Sequence, residues 1–145
     1  MIKFWKEEGG KKTVDPELFD RHAEDLAKKV YEGQARTRGK ANKPTQLRKF
    51  FDEVVRIDGQ IRARTTGPEQ DQEFLEQLPY LKMLNAKAAY AEARELITRE
   101  FRELLSESLK QVKTRQDFRM LVSFFEAFMG FYKFHDKSGQ RGQEA

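Results

Sequence analysis

The stretch that decides the fold is Thr114–Phe134, TRQDFRMLVSFFEAFMGFYKF, which contains six of the 12 phenylalanines in the chain. Thr114 can accept a hydrogen bond from the backbone N–H three residues on, and Asp117 places an acidic group where it stabilises a helix N-terminus. The apolar residues that follow recur at helical spacing and form one broad face: Phe118, Leu121, Val122, Phe125, Phe128, Met129 and Tyr132. The stretch therefore predicts the main core helix.

A second apolar stripe on this helix is turned away from the first and consists of Met120, Phe124, Ala127 and Phe131. A helix with two apolar faces is either central in a bundle or presents one face to a partner. Two interpretations stay open. Either Met120, Phe124 and Phe131 contact another subunit, or a neighbouring helix of the same chain covers them.

Length and composition are typical of one helical domain. The chain has 145 residues, of which 38% are hydrophobic and 36% charged, and it contains no cysteine, which excludes disulfides and thiolate chemistry. No apolar run is long enough to span a membrane, and the N-terminus lacks the apolar segment of a signal peptide. We expect a cytoplasmic, all-α protein, a compact single-domain bundle of about five helices.

The pattern along the chain divides it into three parts. Residues 1–14 are expected to be a flexible N-terminus, residues 15–134 the helical bundle, and residues 135–145 a disordered tail without periodicity. Asp15 and Pro16 are typical of a helix start, and Thr45 is the expected N-cap of the second helix. Between these two helices, residues 33–44 are predicted to form an exposed, mobile basic loop.

Positive charge is concentrated in one block. The net charge is only +4, but the sequence from residue 34 to residue 50 has no acidic residue and six basic ones: Arg36, Arg38, Lys40, Lys43, Arg48 and Lys49. Such a block often follows a polyanion, although it can also be a solvated surface. Arg48 and Arg62 lie at the margins of the buried face of the second helix, where an arginine can rest its stem on apolar surface and offer its guanidinium to a phosphate.

Lys87, Tyr90 and Arg94 share one flank of a later, alanine-rich helix. A base or ribose could stack on Tyr90 while the two cations hold phosphates. The alternative is a half-buried tyrosine between solvated charges.

The sequence shows no recognisable arrangement of catalytic residues. His22 and His135 are the only histidines and lie far apart in sequence. There is no metal-binding His or Cys motif and no glycine-rich phosphate loop, so we expect no catalytic residues, no metal and no cofactor.

Three segments resemble the small subunit of the type III-A CRISPR effector, the Csm complex. They are KPTQLRKFFDEV (Lys43–Val54), LPYLKMLNAKAAYAEAR (Leu78–Arg94) and FFEAFMGFYK (Phe124–Lys133). One departure is visible, since family members often carry glycine where this chain has Ala93. Whether the helix bends there or continues through Arg94 is left open.

The resemblance implies a non-catalytic, all-α protein of antiviral defense. Such subunits stack head to tail with copies of themselves, opposite the backbone subunits and beside the large polymerase-like subunit, and help to hold the guide RNA paired with the target RNA. The matching segments imply the following candidates for RNA binding: Gln46, Arg48, Lys49, Lys82, Lys87, Arg94 and Lys133. The basic block adds Lys43, and the second helix adds Arg62.

Two hypotheses remain at this point. The chain is either an RNA-complex scaffold whose cations contact the RNA backbone, or a helical protein–protein adaptor with no direct RNA contact. They differ in the salt dependence of RNA binding.

Overall fold

The computed structural model describes residues 2–144, with side chains described for residues 2–139. Within them the chain forms two short strands and six helices: β1 (Trp5–Glu8), β2 (Lys11–Val14), α1 (Arg21–Arg36), α2 (Pro44–Arg62), α3 (Gly67–Lys82), α4 (Leu84–Ala93), α5 (Arg99–Lys110) and α6 (Arg115–Glu144). The all-α prediction is confirmed, and a single residue, Met83 in helical conformation, separates α3 from α4.

Helix α6 is the central element, as predicted from its sequence. Both α1 and α2 pack along it, and α3 touches it as well. Its aromatic rings continue into a connected cluster with α5, in which Phe101 lies 6.3 Å from Phe125 and 6.0 Å from Phe128, measured between ring centroids. The buried aromatic face explains why one helix organises the bundle.

The N-terminus of α6 has the expected cap. The Thr114 hydroxyl accepts a hydrogen bond from the Asp117 N–H at 3.2 Å, and the Asp117 carboxylate accepts from the N–H groups of Lys113 and Thr114 at 3.0 Å each. The pKa of Asp117 is lowered: burial opposes the charged form, but the hydrogen bonds from Lys113, Trp5 and Thr114 outweigh it.

The N-terminal segment differs from the flexible one that we predicted. β1 and β2 pair antiparallel around Gly9 and Gly10, both at positive φ, and the register places Glu7 opposite Lys12 and Glu8 opposite Lys11. The Gly-Gly pair between two polar runs is the sequence signal for this hairpin, because a two-residue hairpin loop favours residues that adopt positive φ. Met1 lies outside the described residues.

Phe4, just before β1, anchors this segment to the bundle. It is fully buried against Phe124 of α6, with 6.4 Å between the ring centroids. Its N–H donates to the Gln111 Oε1 atom at 3.0 Å, and the Trp5 indole donates to Asp117 at 2.8 Å. The N-terminus therefore covers part of the second apolar stripe of α6.

The first helix begins later than we predicted. Asp15 does cap a turn, since its carboxylate accepts from the Glu17 N–H at 3.0 Å, but residues 16–20 form turns and α1 begins at Arg21. The second helix begins at Pro44 with Lys43 as its N-cap, so Thr45 lies inside the helix. Proline fits that position because a first-turn residue needs no N–H partner.

The predicted basic loop is shorter and more ordered than its composition indicates. Helix α1 continues through Arg36, and the connection to α2 is anchored by Asn42, which is fully buried. The Asn42 amide donates to the Val30 carbonyl at 3.0 Å and to the Thr98 hydroxyl at 2.7 Å, and accepts from the Thr98 N–H at 2.9 Å. Tyr132 donates its hydroxyl to the Asn42 carbonyl.

The tail was expected to be disordered from His135, but α6 continues through Glu144. Its contact with α1 explains the difference. A Cβ atom on Gly139 would stand 1.8 Å from the Tyr31 hydroxyl, so a glycine allows α1 to approach closely where the sequence offers no apolar periodicity. Ala145 lies outside the described residues.

Candidate nucleic-acid interface

The exposed side of α2 carries two parallel stripes. Lys49, Glu53 and Arg56 follow one another along the first stripe, and Arg56 binds Glu53 at 2.7 Å. Both Lys49 and Arg56 are exposed. Because Lys49 forms no ion pair within 4.0 Å among the described side chains, its ammonium group is available to an external anion.

The second stripe of α2 is more nearly neutral. Arg48 lies 3.8 Å from the Asp52 carboxylate, and Arg62 lies 2.9 Å from the Asp58 carboxylate, both one helical turn away. Pairs between two exposed side chains, such as Arg48–Asp52, contribute little to stability. They do reduce the net positive charge that Arg48 and Arg62 present to an anion.

Helix α4 presents the flank that the sequence indicated. Lys87, Tyr90 and Arg94 are all exposed, and 65% of the Tyr90 surface is accessible. The guanidinium carbon of Arg94 lies 5.6 Å from the centroid of the Tyr90 ring, which is cation–π distance. Tyr90 is therefore an exposed ring with a cation over it, and the half-buried alternative is wrong.

Glu53 of α2 and Lys87 of α4 lie within electrostatic reach of each other. The pKa of Glu53 is lowered, chiefly by its hydrogen bond from Arg56 and against the effect of burial, and the positive charge of Lys87 lowers it further. Lys87 therefore lies near the first stripe of α2. We call the combined set, Lys49, Arg56, Lys87, Tyr90 and Arg94, the α2–α4 surface.

The end of α4 fixes the position of Arg94. Helix α4 ends at Ala93, and the chain turns at the place that the sequence left open. Glu95 adopts a φ of 62°, its N–H donates to the Glu92 carbonyl, and the Leu96 N–H donates to the Ala91 carbonyl. This is a Schellman cap with a non-glycine residue in the left-handed region. The Leu96 carbonyl in turn accepts from the Asn42 N–H at 3.0 Å, which anchors the turn to the buried polar cluster.

Other predicted RNA-binding residues lie outside this surface. The Lys82 ammonium donates to the Leu109 carbonyl near the end of α5, and burial lowers its pKa, with the charge of Lys113 adding to the effect. Lys82 therefore serves an internal contact that suits a helix C-terminus. Lys43 and Gln46 lie at the start of α2, and Lys133 is an exposed residue of α6.

The sequence interpretation omitted one member of the surface, Arg56. Its exposure followed from the helical wheel of α2. Its position relative to α4 did not, because Glu53 and Lys87 are 34 residues apart and only the folded chain brings them within electrostatic reach.

The predicted subunit-contact residues are not all accessible. Phe124 is buried beneath Phe4, so the interpretation that the same chain covers it holds at this position. Met120 and Phe131 are half-buried and pack against the core. Farther along α6, Phe134 is 61% exposed, which leaves an aromatic side chain open near the end of the stripe.

An acidic cleft of about 530 Å³ lies between the N-terminal segment, α1 and α5. Five carboxylates line it, together with Lys3, Lys29 and His22: Asp15, Asp25, Glu100, Glu103 and Glu107. An excess of negative charge repels a polyanion. This cleft is thus a poor site for RNA, in contrast to the basic α2–α4 surface.

Within the described residues, no group of three or more His, Asp or Glu side chains could hold a metal ion. Over the same part of the chain, no helix combines the length and apolar character that crossing a membrane requires.

Comparison with known proteins identifies one family. The family model described as Csm2 Type III-A matches residues 14–138. No curated protein and no solved structure matches the chain significantly.

Proposed function

The chain belongs to the Csm2 type III-A family, the small subunits of type III-A CRISPR complexes, and from this premise we propose that it holds RNA within such a complex through its α2–α4 surface. The RNA is the guide RNA paired with the target RNA. The contacts run to the sugar–phosphate backbone, and the chain itself makes no catalytic contribution.

The observation that carries the proposal is the set of cations on neighbouring exposed faces of α2 and α4. Lys49 and Lys87 form no ion pairs within 4.0 Å among the described side chains, and Arg94 is held over an exposed ring rather than against a carboxylate. Cations placed in this way bind phosphates without reading sequence. A subunit that accepts guides of any sequence needs that property.

The distribution of charge supports an orientation for the RNA. The α2–α4 surface is positive, whereas the cleft between α1 and α5 is lined by five carboxylates. A polyanion is attracted to the first region and repelled by the second. We therefore place the RNA along α2 and α4 and leave the α1–α5 side to protein neighbours.

Copies of the chain are proposed to stack head to tail, as the resemblance implies. Such a contact joins two different patches, one on each end of the subunit. Phe134, with the half-buried Phe131 one turn before it, supplies one accessible aromatic patch on α6. The backbone subunits and the large polymerase-like subunit complete the proposed assembly.

The test replaces Lys49 and Lys87 by alanine in one double variant. If each lysine contacts one phosphate, the slope of log affinity against log salt concentration falls by about 2 for an RNA duplex. The loss should be equal for duplexes of unrelated sequence, because phosphates carry no sequence information. Binding is measured by fluorescence anisotropy with the full chain at several salt concentrations.

The matched control replaces Lys28 and Lys29, two exposed lysines of α1, by alanine. It removes the same charge from another part of the molecule, so a general effect of net charge would appear in both variants. If both double variants bind RNA with the same affinity and the same salt slope, RNA contact through α2 and α4 is rejected. The protein–protein adaptor then becomes the better explanation.

A further inference from the structure

We propose that the pair Tyr90–Arg94 is a stacking platform for an unpaired nucleobase of the bound RNA. This inference rests on the proposed RNA contact and adds a specific ligand to it. The backbone contacts proposed above require only cations, and they leave the exposed tyrosine of the same surface without a role.

The first argument is exposure. Tyr90 is 65% accessible, and none of the hydrogen bonds among the described side chains involves its hydroxyl. A tyrosine that serves the core usually buries its ring and pairs its hydroxyl, as Tyr132 does in this chain by donating to the Asn42 carbonyl. Tyr90 shows neither feature, so packing does not explain it.

The second argument is the position of Arg94. Its guanidinium lies over the Tyr90 ring, 5.6 Å from the centroid, so the two planar groups support each other. The Schellman cap at Glu95 and the bond between Leu96 and Asn42 fix the backbone that carries Arg94. Because the platform is ordered before it binds, little conformational entropy is lost on contact with a base.

The third argument is the charge around the ring. Lys87 lies one turn before Tyr90 and Arg94 one turn after it, so the ring has a cation on either side along the helix. A nucleotide combines a flat base with negative phosphates, and this arrangement matches both parts. An apolar protein segment would match the ring alone and would gain nothing from the flanking cations.

The base that stacks on Tyr90 must be unpaired. In an A-form duplex the paired bases are stacked on both sides, and side chains reach only the backbone and the shallow groove. A bulged or single-stranded nucleotide exposes a face that an aromatic side chain can cover. The platform therefore distinguishes an RNA with an unpaired base from a fully paired one.

The experiment compares two RNA duplexes of the same length, one fully paired and one with a single bulged 2-aminopurine. Wild-type protein should bind the bulged duplex more tightly, and the fluorescence of the 2-aminopurine should change on binding. Tyr90→Ala should weaken binding of the bulged duplex by roughly 5- to 150-fold, because stacking on one base is worth about that factor. Its affinity for the paired duplex should fall by a smaller factor, because paired bases offer Tyr90 no free face.

Three variants make the result specific. Tyr90→Phe keeps the ring and should bind like wild type. Arg94→Lys keeps the charge but loses the planar guanidinium, so it should weaken the preference for the bulge and leave the salt slope unchanged. Tyr80→Ala is the matched control, because Tyr80 is an exposed tyrosine (54%) with no cation over its ring among the described side chains.

The outcomes separate the two proposals. If wild-type protein binds both duplexes equally, or if Tyr90→Ala costs no more than Tyr80→Ala, the stacking platform is wrong while the phosphate contacts stand. If Tyr90→Ala impairs only assembly with protein partners, the surface is a protein contact and the platform is also wrong. If the wild type shows no salt-dependent RNA binding at all, the proposed function itself fails.

Discussion

The fully buried Asn42 should be highly sensitive to substitution, and Asn42→Ala tests that. The substitution removes the three side-chain hydrogen bonds to Val30 and Thr98. Each is worth about 1 kcal/mol net, and the buried Thr98 N–H left without its acceptor adds roughly 1–3 kcal/mol. Asn42 also has a φ of 59°, where alanine costs about 1 kcal/mol more. The expected loss is about 5–7 kcal/mol of unfolding free energy.

Two further variants separate the causes of that loss. Asn42→Gly removes the same hydrogen bonds but tolerates the positive φ, so it should be about 1 kcal/mol less destabilising than Asn42→Ala. Asn85→Ala is the matched control, since Asn85 is a half-buried asparagine of α4 with no side-chain hydrogen bond among the described residues. It should change stability by less than about 0.5 kcal/mol.

The assay is urea denaturation followed by circular dichroism. With a slope of about 2 kcal/mol per molar urea, a loss of about 5 kcal/mol lowers the midpoint by about 2.5 M. A loss below about 1 kcal/mol for Asn42→Ala would refute the reasoning, because it would mean that the buried amide bonds do not hold the connection between α1 and α2 in place.

The remaining predictions concern the N-terminal segment and the cap of α6. Phe4→Ala should lower the free energy of unfolding by about 3 kcal/mol in the same urea assay, because Phe4 is fully buried against Phe124; a loss below about 1 kcal/mol would show that the segment does not pack there in solution. The pKa of Asp117 is lowered in the folded state, so its carboxylate stabilises the fold at pH values above its ordinary pKa of 3.8. This contribution is lost as the pH falls through the lower pKa of the folded state. Wild-type protein should therefore lose more stability between about pH 5 and about pH 2 than Asp117→Asn, and equal losses would contradict this role of the carboxylate.

The sequence predicted the cap and the aromatic face of α6 because capping and helical periodicity depend on residues close together in the chain. The capping pair Thr114 and Asp117 lies within one turn, so its geometry follows from the sequence spacing, and the structure shows the expected bond. The same applies to the aromatic face of α6. Asp15 shows the limit of this reasoning, since it caps a turn as its type suggests, but the helix begins only at Arg21.

Contacts between residues distant in sequence explain most of the differences between the sequence predictions and the structure. Residues 33–44 looked mobile because their composition is polar and glycine-containing, and the three bonds of Asn42 to Val30 and Thr98 could not be anticipated without the packing of α1 against α5. Phe124 looked like a partner contact because Phe4, which covers it, is 120 residues away in the chain.

The sequence by itself determined that this chain is a helical bundle around α6 and that it resembles the small subunits of type III-A complexes, because helical periodicity and capping act over one or two turns. Only the tertiary structure decided which cations share a surface. It brought Lys87 within electrostatic reach of Glu53, directed Lys82 toward the end of α5, and left Tyr90 exposed beneath Arg94. The physical reason is that a side chain's neighbours across the bundle depend on how whole helices pack, which no local pattern encodes.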